Sequence, residues 1–242
     1  MNETFQTFER MYLSRKRYPK FFDYTTDDFE RMLRLLDLGY CVPMPKSDKE
    51  GRRIILIQTK KCDMNIYSTY DAIRLLCYVI TVLLEEEETQ IAGIVCLFDH
   101  AGANINHLMA PTDVRDFMHF VKHCSACRQK GTFVMNLPSF ANFILEIFKS
   151  ALSEKLKKRF VLIKSKDDLS NFFDLDLLPE SHGGKLSDEE ILNDFKKLRD
   201  EKRPNLLKFL NVKIDWTKIP PEKLLSNDEC ETIGSFRKLE ID

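Results

Sequence analysis

At 242 residues, 43% of them hydrophobic and 31% charged, the chain has material for one large domain or two small ones and an ample core. A net charge of −1 creates no global field that would draw it to nucleic acid. The longest apolar run, residues 75–84, falls far short of the ~20 residues needed to span a bilayer. Seven cysteines, an odd number with no small-domain framework, predict reduced thiols. The N-terminus Met1-Asn2-Glu3-Thr4-Phe5 has no signal-peptide apolar core. Together these predict a soluble, cytoplasmic protein whose membrane contact is peripheral and transient.

Residues 1–24 are basic and aromatic, with apolar positions too irregular to assign to an element. Thr25 and Thr26 followed by Asp27 and Asp28 mark a helix start, with acids in the first turn. Phe29, Met32, Leu33 and Leu36 give that helix one apolar face, and Gly39 stops it. Two prolines keep residues 40–45 extended. Asp48-Lys49-Glu50-Gly51 turns the chain into a β-branched strand over 53–58. A long helix is predicted from about Ser68 to Glu88, apolar nearly all round through Ile73, Leu75, Leu76, Val79, Ile80, Val82 and Leu83. Its acidic end, Glu85 to Glu88, opposes the helix dipole and implies solvent there. Residues 91–98 read as a second buried strand ending in Asp99. The next helix starts at Pro111 or Thr112, with Val114, Phe117, Met118 and Val121 on one face.

The stretch 131–184 organises the rest. A short strand (Thr132 to Met135) turns at Asn136-Leu137-Pro138 into a helix over 139–151. In it Phe140, Phe143, Ile144, Ile147 and Phe148 recur at helical spacing, and Leu145 adds apolar surface outside the main face. Two readings stay open: a core helix between two strands, or a helix apolar on two sides, facing a cavity on one and at times lipid on the other. A cationic segment directly follows, Glu154-Lys155-Leu156-Lys157-Lys158-Arg159, and between Lys149 and Lys166 seven Lys or Arg stand against one acid. Then come a strand over 160–163, Leu177-Leu178-Pro179 and Gly183-Gly184. A last amphipathic helix begins at Ser187-Asp188-Glu189-Glu190 and is expected to end before Pro204, leaving a loose tail anchored by Trp216 and Phe236. Strands alternating with helices predict an α/β layer structure with a mostly parallel sheet.

Two chemistries are worth weighing. His119 and His123, followed by Cys124 and Cys127, could ligate zinc or, through the thiols, do redox work. No second thiol pair stands nearby, and a redox C-x-x-C belongs at a strand-to-helix junction rather than at a helix end, so half-exposed helix residues are the plainer reading. No G-x-S-x-G, H-E-x-x-H or P-loop is present. Asp99-His100 with His107 resembles half of a triad but lacks a nucleophile. No catalytic residue, metal or cofactor is therefore assigned. Arg128 and Lys130 flank one strand, and Lys155, Lys157, Lys158 and Arg159 precede the next. Adjacent parallel strands would bring both groups to one surface, either as a solvated charged face or as an anionic-membrane patch beside the apolar helix.

In order and spacing, several segments resemble the CRAL-TRIO lipid-binding family, the group of the tocopherol transfer and retinaldehyde-binding proteins. They are Gly51-Arg52-Arg53, Glu88-Thr89-Gln90-Ile91-Ala92-Gly93-Ile94, Phe98-Asp99-x-x-Gly102, Asn136-x-Pro138, Glu154-Lys155-Leu156-Lys157-Lys158-Arg159, and Leu177-Leu178-Pro179 with Gly183-Gly184. The resemblance runs from about Gly39 to Arg199. It implies a five-stranded, mostly parallel sheet flooring a lipid cavity closed by a mobile gate helix, here 139–151. Domains would fall at 1–38 (a helical N-terminal segment cut short at its front), 39–200 (the lipid-binding domain) and 201–242 (a tail).

By matching positions, the resemblance places Ile73, Leu76, Ile80, Ile94, Phe98, Phe120 and Val121 on the cavity wall, with Phe133, Phe143 and Phe148 added from the central strand and gate. Phe140, Ile144 and Ile147 would face the membrane when the gate opens, and Arg128, Lys130, Lys155 and Arg159 would take a phosphoinositide headgroup. The implied function is a monomeric, non-catalytic carrier of a small hydrophobic ligand, tocopherol-, retinoid- or similar lipid, moving it to or from phosphoinositide-bearing membranes. The rival is a phosphoinositide-sensing adaptor of the same fold without cargo. The chain departs from the family at Ser181 and His182, where an acid and an aromatic are usual, and at Ala101, where an acid is common. Its bulkier Ile73, Leu76 and Ile80 argue against tocopherol itself.

Overall fold

Five short runs rich in β-branched residues pair side by side in chain order: β1 (Cys41–Pro43), β2 (Arg53–Gln58), β3 (Ile94–Asp99), β4 (Gln129–Met135) and β5 (Phe160–Ile163). The structure, a computed structural model, describes residues 3–22, 25–121, 125–210 and 214–220. β1 lies antiparallel to β2, and the β2–β3, β3–β4 and β4–β5 pairs are parallel. The sheet is therefore mostly parallel, as the strand–helix alternation predicts. All six residues of β2 are buried, which a strand covered on both faces requires.

The helices are α1 (Glu3–Arg17), α2 (Pro19–Phe22), α3 (Thr26–Asp37), α4 (Thr69–Leu83), α5 (Glu87–Ala92), α6 (Pro111–His119), α7 (Asn142–Ala151), α8 (Glu154–Lys157) and α9 (Asp188–Leu210). Residues of α4, α6 and α7 line one hollow together with Cys96, Phe98 and Thr132 of the sheet, so these three helices share one face of it. The other face is closed by the chain after β5. Leu169, Phe173 and Leu178, with Ile191 and Phe195 of α9, join the buried cluster that also holds Leu35, Leu36, Leu75 and Val79.

Local chemistry explains most boundaries. Thr25 caps α3 through Asp28, and Ser68 caps α4 through Asp71, each a reciprocal capping box. The long helix expected from Ser68 to Glu88 breaks after Leu83. Glu87 and Glu88 then sit in the first turn of α5, where the dipole favours acids, rather than at a C-terminus, where it opposes them. Ile91 consequently lies in α5 and is 70% exposed, and β3 starts later than expected, after Gly93 at φ +87°. The irregular N-terminal stretch is largely helical, and α9 runs through Pro204 instead of stopping before it. A proline there forfeits one backbone bond, and the turns on either side continue. Trp216 sits half-buried in a short 3-10 turn, while Phe236 lies outside the described residues.

Candidate functional site

Proline at the first position of α6 and a 3-10 turn (Ser139–Ala141) leading into α7 set these two helices over the β3–β4–β5 half of the sheet. Ile144, Ile147 and Phe148 of α7 pack on Val114 and Met118 of α6, with Leu152 and Phe160 beneath. Yet no residue of α7 is buried. An apolar helix held only on one flank covers two hollows. The larger, about 200 Å³, is walled by Phe98, Val114, Phe117, Val134, Phe140, Ile144 and Phe148, with His100 at one end. The smaller, about 70 Å³, lies between Leu76 and Ile80 of α4, Cys96 and Phe98 of β3, and Phe120, Val121, Phe148 and Leu156. Phe98, Phe117, Thr132 and Phe148 border both, so together they form one apolar cleft pinched in the middle.

Six of the ten expected wall residues border these hollows: Leu76, Ile80, Phe98, Phe120, Val121 and Phe148. Four stand elsewhere. Ile73 is buried against Tyr18 and Phe21, because the N-terminal segment, unassigned from sequence, folds over that turn of α4. Ile94 packs in the main core below a register slip, where β4 pairs Gln129 with Ile94 and Gly131 with Val95. Phe133 belongs to the other face of the sheet, its ring 4.8 Å from Phe173 and 5.3 Å from Phe172. Strand alternation gives Thr132 and Val134 to the cleft instead. Phe143 is 68% exposed. It sits about 100° around the helix from Ile144 and off the inward stripe. Of the expected gate residues, Phe140 borders the larger hollow while 41% exposed, and Ile144 and Ile147 face α6. Phe117 and His100 were not assigned to the wall. Phe117 carried a usable signal, lying on the apolar face of its helix; His100, after a strand end, carried none.

The N-terminal segment is tied to the cleft wall by polar contacts. Lys20 Nζ donates to Asp113 Oδ1 at 2.6 Å, Tyr70 Oη to Asp113 Oδ2 at 2.8 Å, and the Tyr18 hydroxyl bonds His119 Nδ1. Phe21 meets Phe117 edge-on at 6.0 Å.

At the opposite ends of the strands the expected cations gather. The residue skipped in the β3–β4 register is Lys130, a bulge of the kind that re-aims a side chain. Gly93 permits this: a Cβ there would lie 2.2 Å from Arg128 O and 3.0 Å from Lys130 Cγ. The backbone N–H of Thr132 donates to Arg159 O (2.9 Å), and Arg159 Nη1 donates to Gln129 O (2.7 Å), which brings the head of β5 against β4. Lys155 is exposed on α8 just before it. Lys157 is paired with Glu154 at 2.7 Å, whereas Arg128, Lys130, Lys155 and Arg159 have no carboxylate partner among the described residues.

The alternative thiol or zinc site gains little. His123 and Cys124 lie outside the described residues. Burial raises the Cys127 thiol, and pushes those of Cys96 and Cys77 to about 11 and about 12. Such thiols stay protonated and inert. Among the described residues no group of three His, Cys, Asp or Glu could hold a metal ion.

Where the sequence departs from the usual pattern, a buried polar contact appears. His182 Nε2 lies 3.1 Å from Asp99 Oδ2, while Asp99 Oδ1 accepts from Asn136 Nδ2 (2.7 Å) and from the Ala101 N–H (2.9 Å). Burial pushes the Asp99 pKa up, but these hydrogen bonds prevail and hold it at about 2. The contact fastens the 179–184 loop to the ends of β3 and β4. Gly184 completes the fit, since a Cβ there would fall 1.9 Å from Leu178 O.

No helix among the described residues is long and apolar enough to cross a membrane. Comparison with known proteins gives alpha-tocopherol transfer protein-like from Mus musculus, 26% identical over 153 residues, covering 62% of this chain and 45% of the relative. Clavesin-1 of Xenopus laevis is 26% identical over 156 residues, covering 63% and 47%. The chain thus spans about half the length of the curated relatives it matches. The crystal structure of Sfh5 overlaps 83% of this chain and 81% of its own, at 11% identity and a TM-score of 0.48. The CRAL/TRIO domain family model matches residues 38–184, well over half of the sequence and the whole of the sheet, and the chain belongs to that family.

Proposed function

We propose that the protein is a non-catalytic carrier of a small hydrophobic ligand, which it exchanges with phosphoinositide-bearing membranes. The observation that carries the reading is α7: an apolar helix without one buried residue, lying over an apolar cleft. A helix of that composition, packed on one flank only, gains from a second apolar surface, and lipid supplies one. Family membership adds support, since its homologues are lipid-binding and lipid-transfer proteins, and one relative is named alpha-tocopherol transfer protein-like.

Cavity size bears on the mechanism. An engineered cavity of about 150 Å³ takes benzene. The larger hollow at about 200 Å³ is therefore too small for a lipid unless it joins its neighbour. Joining them requires the rings of Phe98, Phe117 and Phe148 to part, and Phe148 belongs to α7. In this reading α7 swings outward, Phe140, Ile144 and Ile147 turn toward lipid, Phe143 already facing that way, and ligand passes before the helix returns. Arg128, Lys130, Lys155 and Arg159 hold the anionic surface meanwhile. The same modest volume favours the second reading, an adaptor that senses phosphoinositide and carries nothing.

Native mass spectrometry of the purified protein, followed by organic extraction, separates the two. A hydrophobic molecule retained natively and released on denaturation is expected. A chain that is empty and also refuses tocopherols, retinoids, sterols and phospholipids would leave the adaptor standing. A second outcome concerns the helix itself. Phe143→Asp should leave thermal unfolding within about 0.5 kcal/mol of wild type, because the side chain is exposed. It should weaken co-sedimentation with phosphoinositide vesicles about 10-fold, because one large apolar anchor is lost. Unchanged sedimentation would remove α7 from the membrane step.

A further inference from the structure

We infer that His100 is the polar anchor of the cleft, selecting ligands that carry one uncharged oxygen group, a hydroxyl or carbonyl, at the end of a hydrophobic body. The inference rests on the carrier reading and narrows its ligand class. His100 follows β3, its N–H donating to Met135 O at 3.0 Å, and its ring lies nearly parallel to that of Phe98, 6.2 Å away at 18°. Thr59 Oγ1, just past the end of β2, holds Nδ1 at 2.9 Å. With Nδ1 tied, the edge of the ring bearing Nε2 is what remains for the larger hollow that His100 borders, and no described residue hydrogen-bonds it.

Its polar neighbours in that wall are at least partly engaged elsewhere or stand at the rim. His107 uses both nitrogens, on Cys62 O (2.9 Å) and on the Asn104 N–H (3.1 Å). Thr132 Oγ1 accepts from Gln129 Nε2 at 3.2 Å, and Asn104 stands exposed at the rim. No Lys, Arg, Asp or Glu borders the hollow, so a carboxylate or ammonium head would be desolvated without a counter-ion. Burial also lowers the His100 pKa, which disfavours the charged ring. A neutral imidazole whose Nδ1 faces a hydroxyl can settle in either tautomer. It then offers Nε2–H to a carbonyl, or an Nε2 lone pair to a hydroxyl.

The test compares dodecan-1-ol with dodecane as competitors for bound 1-N-phenylnaphthylamine, on the full chain. His100→Leu should weaken dodecan-1-ol about 3–10-fold, the share of one hydrogen bond, and leave dodecane unchanged or tighter. His100→Gln, whose amide nitrogen reaches where Nε2 stood, should recover most of the alcohol affinity. Equal losses for both competitors in His100→Leu, or none for the alcohol, would overturn the anchor while the carrier stands. If neither competitor displaces the dye from wild type, the carrier reading falls and the anchor with it.

Discussion

His182→Ala should cost roughly 3–4 kcal/mol of stability, out of all proportion to a loop position beyond the sheet. The substitution removes an imidazole that is only 2% exposed and leaves Asp99, 6% exposed, with a lone pair facing a void. Stripping a buried carboxylate of a partner is among the costliest single changes, because it leaves a buried charge less compensated. Asn136 and the Ala101 N–H still hold Oδ1, which keeps the loss below complete unfolding. The pH dependence has a definite sign. Asp99 is held at about 2 against an ordinary 3.8, so the folded chain binds this proton less readily than the unfolded one. That contribution, about 2 kcal/mol, is fully present above about pH 4 and disappears as pH falls toward 2. Asp71 and Asp113 are lowered too, so wild type alone will not isolate Asp99. Urea unfolding of wild type and Asp99→Asn at intervals from pH 6 to pH 2 does. The gap between the two curves should narrow across the acid limb, and parallel curves would show that the carboxylate gains nothing from its partners.

That contact also marks where sequence reading stops. The strands over 53–58 and 160–163 were legible because β-branched runs ended at turn residues, and the structure keeps both ranges. Pairing between Asp99 and His182 is a contact across 83 positions, and nothing local announces it. The same holds for Ile73: its place on an apolar helix was plain, but Phe21, which covers it, sits in a stretch without clean periodicity. Phe133 failed differently. β4 is apolar on both faces, so alternation could say that Phe133 and Val134 point oppositely without saying which meets the cleft. Arg128, Lys130, Lys155 and Arg159 were easier, because parallel pairing alone brings the heads of neighbouring strands together.

Changing all four of those cations to glutamine should weaken binding to vesicles containing phosphatidylinositol bisphosphate about 10³-fold. Near an anionic surface each basic side chain contributes ~1 kcal/mol, so four contribute ~4 kcal/mol, and every 1.4 kcal/mol is a factor of ten. Glutamine is preferred to alanine because Arg159 Nη1 donates to Gln129 O and Arg128 Nη1 to Ile91 O. An amide can keep part of that role, so thermal unfolding of the variant serves as the control for local damage. Three features argue that the cluster is poised for an outside partner. Its members have no carboxylate partner among the described residues, although Lys157 in the same segment finds Glu154. A bulge at Lys130 interrupts the ladder there. Gly93 leaves the room in which Arg128 and Lys130 sit, at a φ of +87° that disfavours any other residue. Salt offers an independent reading. Screening shortens to about 8 Å at physiological ionic strength and to about 3 Å at 1 M, so wild-type affinity should fall steeply between those conditions while the variant barely responds. Bisphosphate vesicles that bind the variant as tightly as wild type would place the membrane contact elsewhere, on the apolar flank of α7 alone. The cluster would then be a solvated charged face.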